Sequence, residues 1–411
     1  MKNNKLLMLR LVTNAPPCAK CVYRALKIFD CAEDIFSADK KYFSDAGFKE
    51  NEISSFFSSN ISDAERYLEY CEKNGIKIIT YYDEDYPSQL RELEEPPAIL
   101  FVKGELPPMK SCPALGIVGT RECSPYGGKL AAGLAYDLVQ TGFVIVSGMA
   151  RGIDTFAHKG ALLAGGKTVA VLPSGVDIVT PSGNKELYHR ICETGAVISE
   201  YLPGTQCKPY NFHLRNRIIS GLSHGISVIE TGLKGGSMIT VRHALEQGKM
   251  IFAVPGTPGV RTSEGTNHLL RSGATLCTGS EDIISEYEIF FGRKFERPER
   301  MAKISPYTVS VSESHEAKPV KKAEKAPKKQ KTEQAQEESP VSVQIPKPVL
   351  YCALSEKEEL VINALKDGPL SADSVCDATG LIFPQAVSIL NGFEISGYVE
   401  SLPGGIYKLK E

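Results

Sequence analysis

The sequence lacks any long run of apolar residues. None of its apolar stretches approaches the roughly 20 residues that a membrane-spanning helix needs. The N-terminal residues MKNNKLLMLRLVTN contain a short apolar run but no small-residue cleavage site, which a secretory signal requires. We therefore expect a cytoplasmic protein with no membrane partner.

A disulfide framework and a zinc-binding pattern are also missing. The 11 cysteines are odd in number and irregularly spaced, unlike those of a disulfide-rich secreted domain. Cys18 and Cys21 form one C-x-x-C motif, but no second pair or histidine follows at zinc-like spacing. We interpret the cysteines as reduced thiols and expect no bound metal.

The chain has little net charge, −2 overall, but the charge is unevenly distributed. Counting Lys and Arg against Asp and Glu, residues 96–292 carry +2 and residues 293–349 carry +5, whereas residues 1–95 carry −4 and residues 350–411 carry −5. Because local positive charge attracts phosphate, only the middle of the chain is expected to approach nucleic acid.

Motifs of the common nucleotide-dependent and hydrolytic enzymes are absent from the sequence. There is no G-x-S-x-G and no H-E-x-x-H, and no G-x-G-x-x-G follows the first predicted strand of the sheet. ALLAGGKT, residues 161–168, has Ala161 where a phosphate-binding loop needs glycine, and it joins a helix to a strand. We expect neither catalysis nor a cofactor.

Composition divides the chain into four segments. Residues 1–95 predict short helices (YRALKIFD, AEDIFSA, ISDAERYLEYCEKNG) and two lead-in strands, IKIIT and PPAILFVKG, the second running a few residues past the boundary. Residues 96–292 form the α/β domain. Residues 293–350, rich in Lys, Glu and Pro, predict a flexible linker because they cannot bury enough apolar area to fold. Residues 351–411 predict three helices and a β-hairpin, which together make a winged helix.

The α/β domain is predicted from six apolar runs of strand length: LGIVG, FVIVSG, TVAVLP, AVISEY, ISVIE and MIFAVPG. Helical stretches separate them, such as GGKLAAGLAYDLVQT and SMITVRHALEQG. Continuously apolar strands that alternate with helices indicate a parallel sheet covered on both faces. The fold class is therefore α/β, with a doubly wound, Rossmann-like parallel sheet.

Glycine and small polar residues follow several of these strands. The first strand leads into Gly119-Thr120-Arg121, the second into Ser147-Gly148, and the fifth into a loop that contains Gly235-Gly236-Ser237 and opens a helix. Ligands of open parallel sheets bind where the strands end, and free N–H groups at helix starts attract anions. These strand ends predict a phosphate-binding rim.

The stretch KPYNFHLRNR after the fourth strand combines cations with aromatic residues. Lys208, Arg215 and Arg217 accompany Tyr210 and Phe212, which suits a groove that binds phosphates and stacks bases. An alternative is equally open, in which the two arginines form ion pairs at a helix start and Phe212 belongs to the core.

The histidines show no catalytic spacing. His158 follows Asp154 by one helical turn, and we expect a hydrogen bond between the two that stabilises the preceding loop.

Five motifs in order, GTRECSPYG, SGMARGIDTFAHKGAL, FHLRNRIISGLS, ETGLKGGSMIT and FAVPGTPGVRTSEGTNHLLRSGA, resemble those of the DNA-processing protein A (DprA/Smf) family. The resemblance covers the α/β domain without a gap. The N-terminal helices are similar to the family's SAM-like domain, and the C-terminal segment is similar to its winged helix.

The resemblance implies a homodimer that binds single-stranded DNA during natural transformation, protects the incoming strand and loads the RecA recombinase onto it. The expected DNA-binding residues are Gly119, Arg121, Ser147, Gly148, Lys208, Phe212, Arg215, Asn216, Arg217, Gly235, Gly236 and Ser237. An alternative function is a nucleotide-binding enzyme of the phosphoribohydrolase type, with Glu200 or Glu230 as its acid or base.

A third interpretation, a transcription regulator, is disfavoured by the winged helix itself. Its presumed recognition helix, FPQAVSILNGFEISG, contains no Lys or Arg for reading duplex DNA. We expect the winged helix to bind protein or to support assembly.

Overall fold

A computed structural model describes residues 2–13, 20–57, 61–297, 356–366, 368–395, 399–402 and 405–409. The chain divides into two units, Met1–Ala302 and Lys303–Glu411. Each unit has its own hydrophobic core. The predicted linker lies outside the described residues from residue 298 onwards. The predicted domain boundaries stay predictions.

Helices occupy the N-terminal part of the first unit. The helices predicted from YRALKIFD, AEDIFSA and ISDAERYLEYCEKNG are confirmed, and three further helices accompany them. Their core is built on aromatic rings, with the buried Phe43 ring in contact with those of Phe29, Phe48 and Phe56. The bounds are α1 (Lys2–Thr13), α2 (Lys20–Ile28), α3 (Ala32–Ser37), α4 (Lys40–Asp45), α5 (Glu50–Phe57) and α6 (Ile61–Lys73).

A nine-stranded sheet forms the centre of the first unit, in the order β1-β2-β6-β5-β4-β3-β7-β8-β9. Strands β3 to β9 are parallel, and the lead-in strands β1 and β2 add an antiparallel edge beside β6. The strands are β1 (Lys77–Thr80), β2 (Ile99–Gly104), β3 (Ala114–Val118), β4 (Val144–Ser147), β5 (Thr168–Val171), β6 (Ala196–Ser199), β7 (Gly225–Val228), β8 (Met250–Ala253) and β9 (Thr275–Leu276).

Helices cover both faces of this sheet. They are α7 (Ser88–Arg91), α8 (Pro125–Gln140), α9 (Ile153–Leu163), α10 (Lys185–Thr194), α11 (Pro209–Leu222), α12 (Ser237–Glu246), α13 (Arg261–Arg271) and α14 (Ser280–Phe291). Leu115 and Ile117 of β3 pack with α8, α9 and α14, whereas Ala114 and Val118 join the core beneath α11 and α12. The predicted doubly wound, Rossmann-like sheet is confirmed.

The order in which the chain adds strands to the sheet reverses at β3. From β3 it moves outward through β4, β5 and β6, and then returns to β7 on the other side of β3. The loops after β3 and β7 therefore part at a topological switch point, where open α/β sheets bind their ligands. This crevice lies among the loops that the sequence predicts to bind phosphate.

The second unit has the predicted winged-helix composition. Its elements are α15 (Glu356–Lys366), β10 (Leu370–Ser371), α16 (Ala372–Thr379), α17 (Phe383–Ile395), β11 (Val399–Leu402) and β12 (Ile406–Leu409). β12 lies between β10 and β11 and pairs antiparallel with both. Val361, Leu365, Val375, Leu390 and Phe393 form its core.

No helix in the described part of the chain is both long enough and apolar enough to cross a lipid bilayer.

Helices α8 and α9 pack closely at Gly160. A Cβ atom there would lie 2.1 Å from the carbonyl oxygen of Ala132. We expect Gly160→Ala to lower the free energy of unfolding by about 1–3 kcal/mol, because the helices must separate. Gly133→Ala on α8 is the matched control. A Cβ there has no neighbour within 4 Å, and alanine should raise stability by roughly 0.5–1 kcal/mol. Urea denaturation measures both, and equal midpoints would contradict the close packing.

Candidate nucleic-acid interface

Glu230 joins the two sides of the crevice. It lies in the loop after β7, and its carboxylate accepts hydrogen bonds from the backbone N–H of Ser124 (2.8 Å) and from the Ser124 hydroxyl. The Glu230 carbonyl oxygen accepts another from the N–H of Thr120 (2.8 Å). Ser124 in turn caps α8 by accepting from the N–H of Gly127 (3.0 Å). The loop after β3 is therefore anchored to the loop after β7.

Gly119 is required by this close packing. A Cβ atom there would lie 2.5 Å from the side chain of Ile153 and 2.9 Å from the Glu230 carbonyl oxygen. No larger residue fits without separating the loops after β3 and β4.

Arg121 and Phe212 form the exposed part of the interface. The Arg121 guanidinium carbon lies 4.5 Å from the centre of the Phe212 ring, within the range of a cation–π contact. Arg121 is exposed, Phe212 is half-buried in the first turn of α11, and Lys208 is exposed just before that helix. The tertiary structure thus brings residues that follow β3 and β6 into one basic and aromatic surface.

Arg215 lies in the interior behind this surface. It is 3% exposed, and its guanidinium donates to the carbonyl oxygens of Gly148 (2.8 Å) and Val171. Burial lowers the pKa of Arg215 to about 10, with Asp154 opposing the shift, so the side chain keeps its charge at neutral pH. A Cβ on Gly148 would lie 2.6 Å from the guanidinium. Arg215 therefore connects α11 to the loop after β4 and to the end of β5.

Arg217 and Asn216 attach α11 to further elements. Arg217 is 4% exposed, forms an ion pair with Glu200 (2.6 Å), and donates to the hydroxyl of Tyr23 on α2 (2.9 Å). The Asn216 amide donates to the Gly236 carbonyl oxygen (3.4 Å) in the loop after β7. The helix thus connects the loops after β6 and β7 and the N-terminal helices.

The predicted site residues therefore fall into two groups. Arg121, Lys208 and Phe212 meet at the surface, whereas the side chains of Arg215, Asn216 and Arg217 are buried and bonded to protein. The hydroxyls of Ser147 and Ser237 are also internal, since they donate to the Ile117 carbonyl oxygen (2.7 Å) and the Thr231 hydroxyl (2.7 Å). A direct contact between DNA and the buried group stays a prediction. Gly235 also has a packing role, because a Cβ there would lie 2.3 Å from the Thr231 hydroxyl.

The predicted hydrogen bond between His158 and Asp154 is wrong. His158 Nδ1 lies 2.8 Å from the hydroxyl of Thr168 on β5, and that hydroxyl donates to the Ile145 carbonyl oxygen (2.8 Å). Asp154 instead accepts from the N–H of Ala150 (3.3 Å). In the first turn of α9 the carboxylate turns to unsatisfied loop N–H groups, which outweighs the helical spacing. Burial lowers the pKa of His158 to about 3, so the imidazole is neutral.

Sequence reasoning missed three exposed cations on the same edge: Arg151 after β4, Lys234 after β7 and Arg261 at the start of α13. All three lie within the five family motifs, where the neighbouring glycines gave the stronger signal for a phosphate-binding loop. Arg261 belongs to a helix, α13, that the polar sequence RTSEGTNHLLR did not predict.

The titration of Asp154 gives a testable effect on stability. Burial raises its pKa from 3.8 to about 6, although Arg215 and nearby N–H groups favour the carboxylate. A folded-state pKa above the unfolded one contributes stability below pH 4 that is lost as the pH rises to about 6. We expect the difference in unfolding free energy between wild type and Asp154→Asn to fall by about 2–3 kcal/mol over that window. Urea denaturation at several pH values tests this. Parallel curves for the two proteins would show that the carboxyl titrates normally.

Comparisons with known proteins identify the family of the chain. The family described as DNA recombination-mediator protein A matches residues 77–288, and the DprA winged helix domain matches residues 346–405. The DNA processing protein DprA of Streptococcus pneumoniae is 41% identical over 228 residues, which cover 56% of this chain and 79% of that protein. Protein Smf of Escherichia coli is 33% identical over 356 residues, covering 86% of this chain and 83% of that one.

A solved structure supports the same assignment. The X-ray structure of DNA processing protein A from Streptococcus pneumoniae superposes with a TM-score of 0.59 at 32% sequence identity. The match covers 69% of this chain and 95% of that one. The chain therefore belongs to the DNA-processing protein A (DprA/Smf) family.

Proposed function

We propose that this protein binds single-stranded DNA at the carboxyl edge of its sheet and catalyses no reaction on it. The observation that carries the proposal is the exposed Arg121 guanidinium stacked on Phe212, with exposed Lys208 at the start of the same helix. Cations that neutralise phosphates and an aromatic face that accepts a base are the two components of a single-strand groove.

Binding requires a rearrangement at Phe212. The Arg121 guanidinium lies over a face of the ring. An incoming base takes its place, and the guanidinium moves to a phosphate, where it gains charge-assisted hydrogen bonds. Because the bases of a duplex are already stacked and paired, duplex DNA offers no base to this surface.

The enzymatic alternative loses both of its candidate groups. The Glu230 carboxylate holds Ser124 on the opposite side of the crevice, and the Glu200 carboxylate is paired with Arg217. Both carboxylates are thus held by neighbouring protein groups, which supports a structural role for them over proton transfer to a ligand. Assays for release of free base from nucleoside monophosphates should therefore show no activity.

We infer that the protein acts as a cytoplasmic homodimer in natural transformation, where it protects incoming strands and loads the RecA recombinase onto them. The description of its family as a recombination mediator supports this role. The dimer forms through the Rossmann-like domains. Exposed apolar side chains of this domain, such as Leu276 in β9 and Ile289 in α14, suit such self-association.

The winged helix contacts protein in this proposal. Helix α17 contains no Lys or Arg, and exposed Ile382 and Phe383 lie at its start. Apolar side chains without neighbouring cations suit a protein partner better than the phosphates of duplex DNA.

Substitutions at the exposed residues test the proposal. We expect Arg121→Ala and Lys208→Ala to weaken oligo-dT binding several-fold and to reduce the salt slope by about 0.7 each. Phe212→Leu keeps apolar bulk but should lose about 1–3 kcal/mol of stacking. Fluorescence anisotropy at two salt concentrations measures these effects. Binding that duplex DNA displaces as well as oligo-dT does would contradict a single-strand site.

The buried arginine should respond differently from the exposed ones. Arg215→Ala leaves two carbonyl oxygens and Asp154 without their cationic partner, so it should lower both the unfolding midpoint and DNA affinity. Arg121→Ala should lower affinity alone. Thermal unfolding of both variants, measured together with anisotropy, distinguishes a residue that stabilises the fold from one that contacts DNA. An Arg215→Ala protein with a normal melting temperature and weak binding would instead place Arg215 on the DNA.

A further inference from the structure

Exposed cations continue past Arg121 along the same edge of the sheet. β7 and β8 run parallel to β3, so the loops that follow them open at the edge where Arg121 lies. Lys234 is exposed in the loop after β7, and Arg261 is exposed at the start of α13 after β8. These two residues extend the basic surface beyond the switch point.

Backbone hydrogen bonds hold the segments of Lys234 and Arg261 together. The N–H of Thr231 donates to the Thr262 carbonyl oxygen (2.7 Å), and the N–H of Gly265 donates to the Thr231 carbonyl oxygen (2.9 Å). A Cβ on Gly265 would lie 2.6 Å from the Thr231 side chain. The first turn of α13 is therefore packed against the loop that carries Lys234, and the two cations belong to one rigid surface.

Arg151 is held next to Arg121 in a similar way. A Cβ on Gly152 would lie 2.3 Å from the Thr120 carbonyl oxygen and 2.8 Å from that of Arg121. Gly152 also has a φ of 79°, in the left-handed region that favours glycine. Arg151 therefore precedes a residue that is locked against the backbone of Arg121, and its exposed side chain shares the same edge.

The added cations are unpaired within the described residues. Arg151, Lys234 and Arg261 form no ion pair there, although the exposed Glu264 lies one turn after Arg261. The Glu230 carboxylate is occupied by Ser124. A row of unpaired cations raises the local potential and attracts a polyanion.

We infer that a bound strand crosses the whole carboxyl edge, and that Lys234 and Arg261 bind its phosphates on the far side of the switch point. In the order of the strands that they follow, the cations are Lys208 after β6, Arg151 after β4, Arg121 after β3, Lys234 after β7 and Arg261 after β8. Neighbouring strands lie about 4.8 Å apart, so the ends of β6 and β8 lie roughly 24 Å apart. This inference rests on the proposed function, because the same DNA must occupy Arg121 and Phe212.

A comparison of strand lengths tests the inference with the full chain. Fluorescent oligo-dT of two lengths is titrated by anisotropy, one long enough to span the edge and one that reaches only Lys208, Arg121 and Phe212. Lys234→Ala and Arg261→Ala should each weaken long-strand binding several-fold and reduce its salt slope by about 0.7. Short-strand binding should be unchanged by both, whereas Arg121→Ala weakens binding of both strands.

Two matched variants control for the general effect of removing one positive charge from the protein. Arg271→Ala removes an exposed cation from the last turn of α13, and Lys167→Ala removes one that precedes β5, at the opposite edge of the sheet. Both should bind like wild type. If Lys234→Ala and Arg261→Ala behave like these controls while Arg121→Ala weakens binding, the extended path is wrong and the proposed function stands. An equal loss of affinity for the short strand in these two variants also overturns the extended path. Failure of wild type to bind oligo-dT removes both proposals.

Discussion

The carboxyl edge of the sheet depends on three consecutive buried side chains of α11. Arg215 is bonded to Gly148 after β4 and to Val171 at the end of β5, Asn216 to the loop after β7, and Arg217 to Glu200 after β6 and to Tyr23 of α2. A buried charge is tolerated only where protein dipoles or an opposite charge replace its hydration. Arg215 uses backbone carbonyls and Arg217 uses a carboxylate and a phenol. One helix therefore positions loops from four strands.

Cations of the same chemical type thus have opposite roles on this edge. The buried arginines stabilise the loops and keep their charge satisfied by protein. Arg121 and Lys208 are exposed at the surface, where in the proposed function they attract phosphate with little effect on stability. Gly119 and Gly148 belong with the buried residues, because neighbouring atoms leave no room for a Cβ atom at either position. The rigidity of the loops and the proposed attraction for phosphate therefore come from different residues.

Much of the fold could be predicted from the sequence because the strands are unusually clear. Six continuously apolar runs correspond to β3 through β8, and the predicted helical stretches GGKLAAGLAYDLVQT and SMITVRHALEQG correspond to α8 and α12. α13 was missed because its sequence, RTSEGTNHLLR, is mostly polar and has few apolar positions to reveal a period. The His158 bond was wrong because helical spacing says nothing about β5, whose Thr168 lies closer.

The sequence by itself determined the α/β class, the winged helix and the family, and it predicts the stretch from Lys208 to Arg217 as the functional region. Periodicity and motif order are local properties, and a single chain displays them directly. Only the tertiary structure decided which cations of that stretch face water and which lie inside. Lys208 and Arg215 look equally accessible in sequence, and they separate only because α11 packs one side against the sheet. The meeting of Arg121 with Phe212 likewise exists only because parallel strands bring distant loops to one edge.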